Sequence, residues 1–257
     1  MNFALTNNQR EFFGLEPIKN NWEKVLFKGD KYRPESLLYF EDNIIKRHIV
    51  STDNKYQEFQ YHEPTKDRII LLPKTNKGKE KNLTASVLEQ RRPNGVYLNV
   101  HPNNLMIGNY NTETTFYSTY WDTEQQTESK SVSGLITDFI ERSPKTHLSQ
   151  INDYKSAKRK NVRFKTGDYF CFKLNRTEYG FGRILLDVNK ARKKKLLPNQ
   201  HGLNLLMGPP LIVQFFAYKS LHKQIDISVL ERQSTLPSDV MMDNLLLYGE
   251  YEIIGNK

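Results

Sequence analysis

Gly180 and Gly182 stand as G-x-G in EYGFGRILLDV (residues 178–188), just upstream of the basic run KARKKK at 190–195. Glycines beside lysines are the raw material of a phosphate-binding loop. A dinucleotide fingerprint needs a third glycine three residues on, and a helix opening behind it. Here that position is Leu185, and the continuation RILLDV reads as a strand. KGKEKN at 77–82 lacks the strand–loop–helix setting of a Walker motif. The two glycines therefore read as structural: glycine in a strand lets a ring or another backbone come close, or lets a small sheet coil tightly.

Other chemistry is sparse. The six histidines, His48, His62, His101, His147, His201 and His222, show no H-x-x-x-H or H-E-x-x-H pairing, and Cys171 is the one cysteine. No thiolate metal site and no internal disulfide can be built from it. Within the apolar GDYFCFKL it reads as a core residue. No metal and no cofactor is expected. Glu250 and Glu252 in YGEYEIIG would share one face of a strand, where paired carboxylates can do acid–base work but more commonly form a solvated face. No G-x-S-x-G is present; VSGL at 132–135 reads as a helix start.

Charge is the strongest signal. Net charge is +9, and residues 155–195 hold fourteen Lys/Arg against three acids, a local +11 that leaves the remainder slightly acidic. Such a patch attracts anions: nucleic acid, acidic protein or headgroups. Between Arg159 and Arg183, basic residues interleave with Phe164, Tyr169, Phe170, Phe172, Tyr179 and Phe181. Small β-barrels bind single strands with that combination, which makes a nucleic-acid-binding module the alternative reading. The competing view places those aromatics, which alternate along strands, in a core.

The elements that must position these residues follow from pattern. Tyr and Phe number 14 each, which favours strands over long helices. LTNNQREFFGLEP reads as a helix capped by Thr6 with Gln9 closing a capping box. WEKVLF, SLLYF, NIIKRHIV, YQEFQYH and RIILL read as strands, the second and third joined as a hairpin through EDN. PKTNKGKEKNLT (73–84) is a loop, and TASVLEQ a short helix. GVYLNV, LMIGNY and TTFYSTYW form an antiparallel meander. DTEQQTESKS is a linker. Leu135, Ile136, Phe139 and Ile140 then share one helix face, and Leu148, Ile151, Tyr154 and Ala157 mark a second helix. From Asn161 the chain is β again, ending in a strand over LLLYGEYEIIG, with ARKKKLLPNQHGLNLLMG a partly helical connection.

The expected fold is α+β and mostly antiparallel. It comprises a mixed domain over 1–125, a helical connector over 126–160 and a small β-barrel-like domain over 161–257. No signal peptide is read at the N-terminus and no window approaches 18 apolar residues, so a cytoplasmic protein without membrane contact is expected.

KTGDYFCFKL, then EYGFGRILLDV, then a late YGEYEIIG resembles the immunity protein 26 family of bacterial polymorphic-toxin systems. Gly167 and Asp168, then Tyr179, Gly180, Gly182 and Arg183, carry the family pattern over roughly 160–255. LTNNQREFFGLEPI, RIILLPKTNKGK and IGNYNTETTFYST resemble the long members of the family. The resemblance implies a non-enzymatic cytoplasmic immunity protein. It would neutralise a cognate toxin stoichiometrically, by occlusion or by locking an inactive conformation. The basic character of this chain points to a toxin with an acidic docking face. Arg183, Lys190, Arg192, Lys193, Lys194 and Lys195 are the candidate toxin-binding residues. Arg183 has a second reading, as a structural anchor pairing with a carboxylate such as Asp168.

Overall fold

The computed structural model describes residues 3–67, 70–71, 77, 81–122 and 131–257. The chain divides into two compact units, 1–158 and 159–257. Most of the loop read at 73–84 and of the linker read at 122–131 lies outside the described residues.

The first unit opens with α1 (Asn7–Phe12). Thr6 caps it with the expected box: its hydroxyl accepts from Gln9 N, and Gln9 Oε1 accepts from Thr6 N at 2.9 Å. The strands are β1 (Glu23–Phe27), β2 (Ser36–Glu41), β3 (Ile44–Thr52), β4 (Lys55–Lys66), β5 (Ile70–Leu71) and β6 (Lys81–Asn82). After α2 (Ala85–Glu89) come β7 (Asn94–His101), β8 (Asn104–Asn109) and β9 (Thr114–Ser118). All pairings are antiparallel, in the order β1-β2-β3-β4-β7-β8-β9, with β5 and β6 extending from β4. The predicted hairpin and meander are both present.

Alternation along these strands gives the sheet two unlike faces. Ile49, Tyr56, Leu98, Val100 and Ile107 point into one core with Phe13 and Leu15. Leu135, Ile136 and Phe139 of α3 (Val132–Glu141) and Ile151 of α4 (His147–Ser156) close that core, so both helices pack within the first unit rather than standing apart as a connector. On α4 the buried face is set by His147 and Ile151, while Leu148 is 42% exposed. His147 goes in because Phe12, Phe116 and Phe139 surround its ring and the Phe12 carbonyl accepts from Nε2 at 2.7 Å. Leu38, Phe40, Ile45 and Tyr61 on the opposite face pack with Leu88 of α2.

A buried charge cluster ties α1 to this sheet. Glu58 of β4 is fully buried, with Arg10 Nε at 2.7 Å and Arg47 Nη1 at 3.4 Å. Tyr56 donates to its second oxygen at 2.5 Å. Burial, and then the Glu58 carboxylate, push the Tyr56 phenol well above its usual range, so it stays a donor. Arg10 Nη1 also donates to the Leu5 carbonyl at 2.6 Å, and Arg47 Nη2 donates to the Glu16 carbonyl. Two cations and one anion thus stitch the segment around α1 onto β3 and β4. Arg47 and Glu58 sit on adjacent strands of the β3–β4 hairpin, but their meeting with the distant Arg10 gave no sign in the sequence.

The second unit holds β10 (Asp168–Lys173), β11 (Tyr179–Asp187), α5 (Val188–Lys193), β12 (Pro210–Ser220), α6 (Ile227–Leu230), β13 (Asp239–Met242), α7 (Asn244–Leu247) and β14 (Glu252–Asn256). Its antiparallel sheet runs β13-β12-β11-β10-β14. β13 and β14 are its two edges, so it is an open sheet and not the expected barrel. The reason lies in its burial. Phe170, Ile184, Leu211 and Val213 build a core on one face, and Tyr169, Cys171, Phe181 and Phe216 build another on the opposite face. With apolar side chains on both faces, the sheet need not curl on itself to bury one of them, and β13 does not pair with β14. The last strand is also shorter than expected. Leu245, Leu246 and Leu247 belong to α7, with Leu246 fully buried and Tyr248 its C-cap, and β14 starts only at Glu252.

Candidate docking surface

The two glycines of EYGFGR are explained by what lies opposite. Antiparallel register sets Gly182 against Phe170 and Gly180 against Phe172. A Cβ on Gly182 would come within 2.4 Å of the Phe170 ring, and one on Gly180 within 2.6 Å of the Phe172 ring. The rings cover the glycines and belong to the first core, an aromatic over a strand glycine. This is the close ring approach read from the sequence. Gly167, at φ +90°, turns the chain into β10. Asp168 accepts from Lys165 N and from Asn256 Nδ2, both at 2.8 Å, which ties the final strand to the start of β10. Tyr179 sits half-buried against the second core.

Arg183 does not pair with Asp168. It faces Tyr169 across the strands, its guanidinium 5.2 Å from the ring centroid. Its Nε is buried without a hydrogen-bond partner among the described residues. Stacking on the Tyr169 ring, which is 1% exposed, makes it part of the sheet face.

The other basic candidates separate into two kinds. Lys190 folds back, with Nζ 2.9 Å from the Asp187 carboxylate and 3.3 Å from the Phe164 carbonyl. Asp187 also caps α5 by accepting from Lys190 N at 2.8 Å. Arg192 turns onto its own connection. It donates to the carbonyls of Leu203, Leu206 (2.6 Å) and Gly208 (3.4 Å). Lys193, Lys194 and Lys195 are exposed, and no ion pair to a described residue holds their ammonium groups.

The end of α5 is a Schellman turn: Leu196 N donates to the Ala191 carbonyl and Lys195 N to the Arg192 carbonyl. Its left-handed position, usually glycine, is Lys195 at φ +55°. Beyond it the connection carries apolar side chains outward. Leu196 is 67% exposed, Leu205 86% and Met207 88%. Met242, on the neighbouring edge strand, packs against Gly208 and is itself 42% exposed, beside Val240 at 45%. The exposed leucines and methionine were legible as LNLLM, but pattern alone could not distinguish them from a buried helix.

The remaining candidates belong to the scaffold. Burial pushes the Cys171 thiol up to about 11, which suits a core side chain and not a nucleophile. Glu252 is gripped by Lys223 Nζ at 2.9 Å from both oxygens, and Glu250 precedes β14, so the pair does not share a strand face. Among the described residues no group of three or more His, Cys, Asp or Glu is arranged to hold a metal. No helix there is long and apolar enough to cross a membrane. Tyr169, Phe170 and Phe181, which would supply stacking platforms to a nucleic acid, are inside the two cores.

The resemblance read in KTGDYFCFKL and EYGFGRILLDV holds at the level of the family model. Residues 165–257 match the model described as immunity protein 26, and that span falls within the second compact unit. No curated protein and no solved structure matches the chain.

Proposed function

We propose that this chain is a cytoplasmic immunity protein that binds a cognate bacterial toxin one-to-one and neutralises it without turnover. The observation that carries this reading is the coincidence of the immunity protein 26 match, 165–257, with a unit that folds around its own two cores. Its Gly-Asp turn and Tyr-Gly-x-Gly-Arg strand are scaffold, so recognition falls to what the scaffold holds outward. Stoichiometric inhibition suits such a protein: a rigid sheet presents preformed contacts, and charge speeds capture.

The test is co-expression with the C-terminal domain of the protein encoded by the adjacent reading frame, expected to be the toxin domain. The toxin domain alone should arrest growth, and this chain should restore it. The purified mixture should give a one-to-one complex in which the toxin domain keeps its intact mass. Continued arrest despite soluble chain contradicts the reading. Rescue accompanied by a covalent change in the toxin domain would make the chain an enzyme.

A further inference from the structure

Leu205 and Met207 are the most exposed large apolar side chains among the described residues. Folding gains nothing from placing them in water, yet their segment is held. Arg192 brackets it through three carbonyls, Asn204 Nδ2 donates to the Pro198 carbonyl at 2.8 Å, and His201 Nδ1 accepts from Leu203 N at 3.1 Å. A surface that is apolar, outward and already ordered loses little conformational entropy when a partner covers it. It begins with three consecutive exposed lysines and ends at Gly208, against Met242 of β13, whose Val240 is also exposed. Apolar anchors with a rim of one charge are the anatomy of a protein interface.

We infer that residues 193–208, with the outer side of β13, form the docking surface. Its occupant is a protein face with apolar pockets for Leu205 and Met207 and carboxylates opposite Lys193, Lys194 and Lys195. This rests on the immunity reading and gives the toxin's docking face its chemistry. Charge complementarity selects the acidic rim. The absence of Phe, Tyr and Trp from 193–208 argues against a nucleic acid, whose bases need flat rings to stack on. Exposed Asn199 and Gln200 lie in the chain between the exposed Leu196 and Leu205. A protein face can satisfy their amides, whereas hydrocarbon would strand them.

Two variants of the full chain test it, L205D/M207D and K193E/K194E/K195E. Each changes only exposed side chains; L205D/M207D should keep the wild-type thermal midpoint, and the triple glutamate, whose anions oppose the dipole at the end of α5, should lower it by no more than a few degrees. Binding of the neighbouring toxin domain is followed by surface plasmon resonance at several salt concentrations. L205D/M207D should raise the dissociation rate by roughly 100-fold. The triple glutamate should lower the association rate at least about 10-fold and flatten its salt dependence. Parallel arms use vesicles of phosphatidylcholine with 30% phosphatidylserine, a single-stranded RNA 20-mer, and light scattering for self-association. Wild-type binding matched by both variants overturns the surface alone. Wild-type binding to vesicles or RNA, or a dimer, that these variants abolish while toxin binding persists also overturns it. No wild-type binding of the toxin domain overturns the immunity reading, and this surface with it.

Discussion

The two units place arginine and lysine in opposite ways. In the first, Arg10 and Arg47 are buried, both approach Glu58 Oε1, and they fix a helix to a sheet. In the second, the two cores are aromatic and aliphatic; Lys173 of β10 is half-buried, burial lowering its ammonium to about 8, and the candidate cations lie outside those cores. Arg183 stacks on the sheet face, Arg192 holds a loop, and Lys193 to Lys195 face solvent. A positive charge is therefore not one signal. Inside, it demands partners and confers architecture; outside, with nothing to bind in its own chain, it is available to another molecule.

The comparison can be broken most forcefully at Glu58. Glu58→Gln leaves two buried guanidinium groups without an anion and should destabilise the protein by about 3–5 kcal/mol in urea denaturation. A loss below about 1 kcal/mol would show that the cluster is solvated and the contrast false. Next is Gly182→Ala, which drives a methyl group into the fully buried Phe170 ring. The expected loss is about 1–3 kcal/mol. Gly180→Ala should cost less, because the opposing Phe172 is only half-buried and can yield. Equal tolerance of both would return the glycines to a role other than packing. The smallest effect separates stability from binding at one residue. Lys195→Gly relieves a left-handed lysine and should stabilise by up to about 1 kcal/mol. Toxin association should nonetheless slow, since a charge has gone. Faster or unchanged association would remove Lys195 from the interface.

What was legible in the sequence was what depends on neighbours in the chain. The Thr6–Gln9 capping box, the hairpin through Asp42, the meander and the helix face of Leu135, Ile136 and Phe139 all formed as their spacing predicts. EYGFGRILLDV formed the strand that its missing third glycine implied. What was not legible depends on distant partners. An alternating strand does not say whether its second face meets water or a second core, so the open sheet covered on both sides read as a barrel. LLLYGEYEIIG carried strand-like residues, but Asn244–Leu247 turns as a helix that buries Leu246. The buried Arg10–Glu58–Arg47 cluster brings the distant Arg10 to a pair on neighbouring strands, and each alone looks like surface. Of the six basic candidates, composition could not tell Arg192, which bonds to its own loop, from the three lysines that follow it.

Hydrogen–deuterium exchange on the full chain, free and bound to the neighbouring toxin domain, addresses the central claim most directly. Protection on binding should concentrate at 193–208 and 239–242, with the amides around Arg10, Arg47 and Glu58 unchanged. Protection confined to the first unit, with 193–208 exchanging as fast in the complex as alone, would contradict it.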